Sequence, residues 1–386
     1  MIAYLHIGTE KTGTTTIQTF LSSNRLLLQK YGYIFPKTIG SNGSQWSFTF
    51  LCYNYIRNDE YSLSRNIYSI SNFIKHKTQI YTKLKNEIKK NNFGNVVISS
   101  EHLSSRLQDV KEIKRCRKIL HILGFREIKI IVYLREQSNM APSSYSTKLK
   151  AGKNDDLKLP NEFEYLGEYK QMLNKWINVF GKENMIVRLF DTNEFYKGDL
   201  LKDFIYNINL KWDDKFIIPS KQNESLDLIG MELLKRINKY LPWQVDNKIN
   251  SLRGDLTSFV IKHFQSKDLS LKFYPSKKIM QSYIDYFEES NEWVRKEFFP
   301  HKERLFPKKD LTNYKENYEL KEMKPEYWDK IAKLIIDINV QKNTIENSFA
   351  YKLSQALIKA NKTWYGGGYI KLLFEIRKLK KEFKKK

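Results

Sequence analysis

The chain has 386 residues, of which 41% are hydrophobic and 14% aromatic, so it can bury a substantial core and is not a disordered protein. Its two cysteines are too few for a disulfide framework or a zinc site, and no apolar run is long enough to span a membrane. A strand is expected from residue 2 onward, which leaves no room for a signal peptide and predicts a cytoplasmic protein.

The net charge of +24 would attract nucleic acid, an anionic membrane surface or a polyanionic substrate. The chain is also rich in Lys, Asn, Ile, Tyr and Phe together, so the composition of an A+T-rich genome explains much of this charge equally well. Zinc-finger, RNA-recognition and helix-turn-helix patterns do not stand out in the sequence, and no nucleic-acid partner is expected.

The first 245 residues alternate between strand and helix patterns. Residues 2–7 form an apolar run that ends at Gly8 and predicts a buried strand. Behind the loop that follows, apolar residues recur at helical spacing as far as Gly32. Further strands are expected at 95–99, 128–134 and 185–190, and helices at 111–123 and 171–181. Residues 128–134 are the best candidate for the central strand. This alternation predicts an α/β fold, a P-loop-like parallel sheet flanked by helices.

Past residue 245 the strand signals fade, and residues 246–365 are expected to be mainly helical. The "GGG" at 366–368 predicts a hinge before a basic amphipathic helix that reaches residue 386. Residues 371–386 carry eight basic and two acidic side chains. Such a helix could lie on an anionic membrane, which would place the protein peripherally at the inner membrane face, or pair with a partner helix. A solvated tail is the alternative.

The stretch "HIGTEKTGTTTIQ" from His6 to Gln18 lies between the first predicted strand and helix. Gly8 and Gly13 have the separation of a nucleotide P-loop, but Thr14 stands where that motif has its lysine, and a lysine occurs at position 11 instead. Backbone N–H groups of such a loop, together with the helix N-terminus, face an anion. The loop therefore predicts a phosphate site of an unusual kind.

The "KTGTT" of this loop resembles the phosphosulfate-binding loop of sulfotransferases that use 3'-phosphoadenosine-5'-phosphosulfate (PAPS). The resemblance implies that Lys11 lies beside the bridging oxygen of the leaving group and that no metal is needed. It also implies a set of residues that hold the 5'-phosphosulfate: Lys11, Thr12, Gly13, Thr14, Thr15 and Thr16.

A second stretch, "VYLREQSNMAPSSYSTKLKAG", carries the other half of the resemblance. Arg135 directly follows a predicted strand, and Ser143 lies eight residues further on. In the family, an Arg and a Ser at this spacing bind the 3'-phosphate of the same nucleotide. The chemistry is suitable, since a guanidinium offers a charge-assisted fork and a hydroxyl adds a neutral donor. The family often has Asn-Pro after the Arg, whereas this chain has Glu136-Gln137, which leaves the binding groups unchanged.

The middle of the chain is similar to bacterial sulfotransferases that act on carbohydrates, including surface glycans, and the likeness spans roughly residues 1–245. Sulfuryl transfer to a hydroxyl needs a base, and Glu101 and His102 follow a predicted strand at the sheet edge where the loop also lies. Glu101 is preferred to His102, although Glu101 could instead be a helix cap or a salt-bridge partner. Lys221 and Asn223 are weaker candidates for nucleotide contacts.

The sequence therefore predicts a PAPS-dependent sulfotransferase with a carbohydrate acceptor, such as a bacterial surface glycan or its lipid-linked precursor. A phosphotransferase built on the same loop is one alternative. A non-catalytic nucleotide- or glycan-binding protein is another. The displaced lysine and the Arg135–Ser143 pair argue against the first, and the presence of a candidate base argues against the second.

Overall fold

The computed structural model describes residues 1–40, 43–91, 94–160, 167–220, 226–246, 248–265, 268–346, 349–362, 371 and 375–379. Its main sheet has five strands: β1 (Ile2–His6), β2 (Tyr33–Ile34), β3 (Asn95–Ser99), β4 (Glu127–Leu134) and β5 (Met185–Leu189). The helices among and behind these strands are α1 (Thr14–Ser23), α2 (Arg25–Lys30), α3 (Trp46–Cys52), α4 (Glu60–Ser64), α5 (Ile70–Lys90), α6 (His102–Arg106), α7 (Val110–Ile122), α8 (Gln137–Lys150), α9 (Tyr169–Phe180), α10 (Leu200–Asn207) and α11 (Leu228–Tyr240).

The sheet has the order β2-β3-β1-β4-β5, and all its neighbouring strands run parallel. The predicted α/β fold, with a parallel sheet flanked by helices, is therefore confirmed. Two details differ from the sequence prediction. The edge strand β2 was not expected, because two residues are too short to show a period. The middle position belongs to β1 and not to residues 128–134, which form its neighbour β4.

The helix expected behind the loop is divided at Asn24 into α1 and α2. The Asn24 side-chain amide donates to the carbonyl of Phe20 at 2.8 Å and to that of Ile217 at 2.9 Å, and its oxygen accepts from the Ile217 N–H. An asparagine that bonds to nearby backbone competes with the helical pattern. The break therefore follows from a contact with a segment almost 200 positions away in the chain.

Each interior strand divides its side chains between two apolar clusters, one on each face of the sheet. In β4, Ile130 and Val132 join the cluster that includes α5, α7 and α9, whereas Ile131 and Tyr133 join the cluster with α1 and α10. Successive side chains of a strand point to opposite faces, so a strand buried on both faces shows a continuous apolar run. This is why "IKIIVYL" carries no polar alternation.

The C-terminal region is mainly helical, as predicted. It contains a small antiparallel pair, β6 (Gln244–Val245) with β7 (Lys248–Ile249), and the helices α12 (Leu256–His263), α13 (Lys277–Tyr286), α14 (Glu288–Phe298), α15 (Pro325–Glu346) and α16 (Phe349–Lys362). Residues 299–324 have no helix or extended strand, apart from a single bridge between Tyr274 and Asn317. A third apolar cluster joins this region to α8 and α11. The domain limits at 245 and 365 stay predictions.

Most of the predicted basic tail, including the hinge at 366–368, lies outside the described residues, as do Lys221 and Asn223. Residues 371 and 375–379, which are described, are helical. Among the helices that the structure describes, none has the length and apolar character needed to cross a membrane. Membrane binding by the tail stays a prediction.

Asp203 of α10 is the centre of a buried hydrogen-bond network between α10 and the sheet. It is fully buried, and its carboxylate accepts from the Arg188 guanidinium at 2.6 Å and 3.2 Å and from the Tyr133 hydroxyl at 2.8 Å. The backbone N–H of Tyr196 and the side-chain amide of Asn207 donate to the same carboxylate. One side chain thus links β4, β5 and α10.

We expect Asp203→Ala to lower the free energy of unfolding by about 3 kcal/mol, because it leaves a guanidinium and a buried hydroxyl without their acceptor. Asp199→Ala, which removes only the N-terminal cap of the same helix, should cost about 1 kcal/mol. Urea unfolding of both variants measures the difference. Equal losses would contradict a central role for Asp203.

Candidate functional site

The loop between β1 and α1 is shaped by two glycines in the left-handed region. Gly8 has φ 104°, and a Cβ there would lie 3.1 Å from the Cα of Glu101, so only glycine lets the loop approach the end of β3 so closely. Gly13 has φ 72°, and a Cβ there would lie 2.5 Å from a methyl carbon of Leu200. The two glycines of the sequence pattern therefore allow the loop to lie close to the sheet edge and to α10.

The first turn of α1 presents its backbone N–H groups to the same space. No described side chain caps this turn, which begins at Thr14 directly after Gly13. Thr15 is exposed and Thr16 half-buried. Thr12 is fully buried and donates its hydroxyl to the carbonyl of Thr9 at 2.6 Å, so it offers an incoming ligand no side-chain group. Uncapped N–H groups at a helix start favour a bound anion.

Lys11 and Arg135 meet at this loop. The Arg135 guanidinium donates to the carbonyl of Lys11 at 2.9 Å, and the Lys11 ammonium donates to the hydroxyl of Thr147 on α8. Burial lowers the pKa of both side chains, and for Lys11 the charge of Arg135 lowers it further while Glu10 and Glu101 act in the opposite direction. Tyr169 exchanges hydrogen bonds with the backbone of Arg135 and so fixes its position.

Glu101 and His102 follow β3, as the sequence predicted, and differ in their surroundings. The Glu101 carboxylate accepts from the Gln18 side-chain amide at 2.7 Å, and it makes no cap hydrogen bond although it occupies the cap position of α6. His102 stacks on Trp46 with 3.8 Å between ring centroids. Burial, helped by the charge of Arg106, lowers the pKa of His102 to about 4. His102 is therefore neutral at pH 7.

These side chains line one cleft of about 920 Å³. The predicted site residues that line it are Lys11, Gly13, Thr14, Thr15, Thr16, Glu101, His102, Arg135 and Ser143. The loop, the end of β3, the end of β4 and the helix α8 thus converge at the carboxyl edge of the sheet, which is where parallel α/β proteins bind their ligands.

Other lining residues were not predicted from the sequence. Lys150 comes from the end of α8, and Lys272, Tyr274, Lys309 and Tyr314 come from the C-terminal region. No motif marks these side chains, because their place depends on how residues 270–314 pack across α8.

Lys309 attaches this C-terminal wall to the start of α8. Its ammonium pairs with the Glu136 carboxylate and donates to the side chain of Asn139 at 2.8 Å. Glu136, one of the two residues that directly follow Arg135, thus has a structural partner in this lysine. The C-terminal region is therefore part of the cleft and does not merely adjoin it.

The charges of the cleft favour an anion. In the described part of the chain, no acidic group lies within salt-bridge distance of Lys11, Arg135 or Lys150. Partly buried cations that no acidic group pairs with directly are costly, and an anionic ligand would reduce that cost. Among the described residues, no group of three or more His, Cys, Asp or Glu side chains is placed to hold a metal ion. The expectation that no metal takes part stays a prediction.

Comparisons with known proteins add little about function. Residues 339–385 match a family described as a domain of unknown function (DUF8374). An uncharacterized protein of Archaeoglobus fulgidus is 27% identical over 210 residues, 53% of this chain and 54% of that protein, so the chain spans about half the length of this relative. A sulfotransferase of Alicyclobacillus acidocaldarius has a crystal structure that resembles this one weakly, with a TM-score of 0.34 and 14% identity over 57% of this chain and 85% of the other.

The low pKa of His102 predicts a loss of stability in acid. Its pKa is about 4 in the folded protein and about 6.5 when unfolded, so between these values the unfolded chain binds more protons. The contribution of neutral His102 to the free energy of unfolding is fully present above pH 6.5. This contribution falls by about 2 kcal/mol between pH 7 and pH 5. His102→Phe keeps the ring beside Trp46 and should lose less stability on acidification, measured by urea unfolding. An equal pH dependence in both proteins would contradict the low pKa.

Proposed function

We propose that this protein is a sulfotransferase that moves the sulfuryl group of PAPS to a hydroxyl of a carbohydrate acceptor, such as a bacterial surface glycan or its precursor. The main support is the meeting of two distant sequence features in one cleft. Lys11 belongs to the loop after β1, and Arg135 with Ser143 belongs to the segment after β4. The two features are more than 120 residues apart, and the guanidinium of Arg135 is bonded to the backbone of Lys11.

The side chains of the cleft fit a nucleotide with two anionic ends. Arg135 and Ser143 offer a guanidinium and a hydroxyl for a 3'-phosphate, and Lys11 with the first turn of α1 offers an ammonium and backbone N–H groups for a 5'-phosphosulfate. Bound PAPS would supply the sulfuryl group. Its bond to the phosphate oxygen breaks as the bond between sulfur and the acceptor oxygen forms.

Two side chains would carry the chemistry. The Lys11 ammonium would offset the negative charge that develops on the leaving phosphate oxygen. Glu101 would take the proton of the attacking hydroxyl, held in place by Gln18. His102 is the weaker candidate for the base, because its buried ring is stacked on Trp46 and would become charged on accepting a proton, whereas a carboxylate becomes neutral.

Nucleotide binding is the first test of this proposal. Adenosine 3',5'-bisphosphate at 100 times its dissociation constant should stabilise the protein by about 2.7 kcal/mol, measured by thermal unfolding. Arg135→Ala should lose this response. Arg126→Ala, an exposed arginine just before the other end of β4, should keep it. A protein that responds to ATP with magnesium but not to the bisphosphate would overturn the proposal in favour of a phosphotransferase.

Glu101→Gln tests the base. This variant should bind the bisphosphate as well as the parent protein and should transfer sulfate from radiolabelled PAPS to glycans roughly 10²–10⁴ times more slowly. His102→Asn, made in parallel, should affect transfer far less. Full activity of Glu101→Gln would assign the proton to another group, and a loss of transfer only in His102→Asn would assign it to His102.

A further inference from the structure

The helix α8 lines the cleft along one face from its middle to its end. Ser143, Ser146, Thr147 and Lys150 occur at spacings of three, one and three residues, which places them on one side of a helix, and all four line the cleft. Seven residues of α-helix separate Ser143 from Lys150 by roughly 10 Å along the axis. The face therefore offers polar groups to both ends of an elongated ligand, with Ser143 at one end and Lys150 at the other.

Lys150 lies at the Lys11 end of this face. The Lys11 ammonium donates to Thr147, which is one turn before Lys150. Burial lowers the pKa of Lys150, and the positive charge of Lys11 lowers it further, so the two ammonium groups are neighbours. Among the described residues neither ammonium forms a salt bridge, although the charges of Glu10 and Glu101 act on Lys11 from a greater distance. Two like charges held close together repel each other, and an anion placed between them would be attracted by both.

Ser146 provides an independent observation that points to a bound group. The residue is 5% exposed, and its hydroxyl has no hydrogen-bond partner among the described residues. Buried hydroxyl groups rarely stay without a partner in folded proteins. Because Ser146 also lines the cleft, between Ser143 and Lys150, a group bound there is the natural acceptor or donor for this hydroxyl.

We propose that Lys150 and Ser146 form, together with Lys11, the subsite that holds the transferred sulfuryl group. This inference rests on the proposed function and extends it, since it assigns a different role to each of the two lysines. Lys11 faces the leaving phosphate oxygen, while Lys150 contacts the oxygens of the sulfuryl group. Ser143 binds the 3'-phosphate. The helix α8 therefore contacts both ends of the donor, and the spacing between Ser143 and Lys150 matches the separation of these ends.

Inorganic sulfate, titrated in the presence of saturating adenosine 3',5'-bisphosphate, is the probe for this subsite. We expect Lys150→Met to lower kcat by about 10²–10³-fold and to weaken sulfate binding, measured by calorimetry, by at least roughly tenfold. Its bisphosphate affinity should stay close to that of the parent protein. Lys150→Arg should recover part of both losses, and Ser146→Ala should weaken sulfate binding several-fold. Lys153→Met, an exposed lysine three residues on, is the matched control and should behave like the parent protein.

Four results would overturn the assignment. Unchanged sulfate binding in Lys150→Met, with normal bisphosphate binding, would refute this subsite and leave the proposed function intact. An equal loss of sulfate and bisphosphate affinity would make Lys150 a general nucleotide contact. A rise in KM for the glycan alone would make it an acceptor contact. If the parent protein binds no bisphosphate, the proposed function fails first, and the subsite fails with it. Lys150→Gln repeats the test should the Met variant fold poorly.

Discussion

The site depends on the parallel pairing of β1 with both β3 and β4. Hydrogen bonds of this pairing continue past the strand ends into the loop: the N–H of Ser100 donates to His6, and Thr9 and Gly8 exchange backbone hydrogen bonds with Tyr133. Because parallel strands end at the same edge, the loop after β1 lies between the residue that follows β3 and the residue that follows β4. Glu101, Lys11 and Arg135 are neighbours for this reason, although the chain between them is long.

The same arrangement places several positive charges where water is partly excluded. Arg135 is held by Tyr169 and by the carbonyl of Lys11, and Lys11 is held by Thr147, so neither side chain can move freely to solvent. Burial lowers the pKa of each, because it disfavours the charged form of the side chain. Buried, fixed positive charges of this kind are useful for binding an anion or for catalysis. Groups that are already in position need no reorganisation when negative charge develops on a ligand.

The sequence was sufficient for those parts of the fold and site that local patterns encode. Apolar runs located β1, β3, β4 and β5 to within a residue or so at each end. Two short motifs pointed to Lys11, Arg135 and Ser143, which line one cleft, while their roles stay predictions. Features that depend on distant contacts were not predictable. The break at Asn24 needs Ile217, the edge strand β2 is too short to show a period, and Lys150 carries no motif of its own. The pKa of His102 depends on burial beside Trp46, which no spacing in the chain reveals.

The walls of the cleft suggest a division between donor and acceptor. Under the proposed function, the residues of the loop, of β4 and of α8 would contact the nucleotide. The opposite wall, with Lys272, Tyr274 and Tyr314, comes from the C-terminal region and is attached to α8 through Lys309 and Glu136. Tyrosine rings and ammonium groups can pack against and hydrogen-bond to a polar, hydroxyl-rich acceptor. Under the proposed function, the C-terminal wall would therefore select the glycan, and the sequence of this wall contains no recognisable motif. The adjacent donor site, in contrast, contains two motifs, the loop with Lys11 and the pair Arg135 and Ser143.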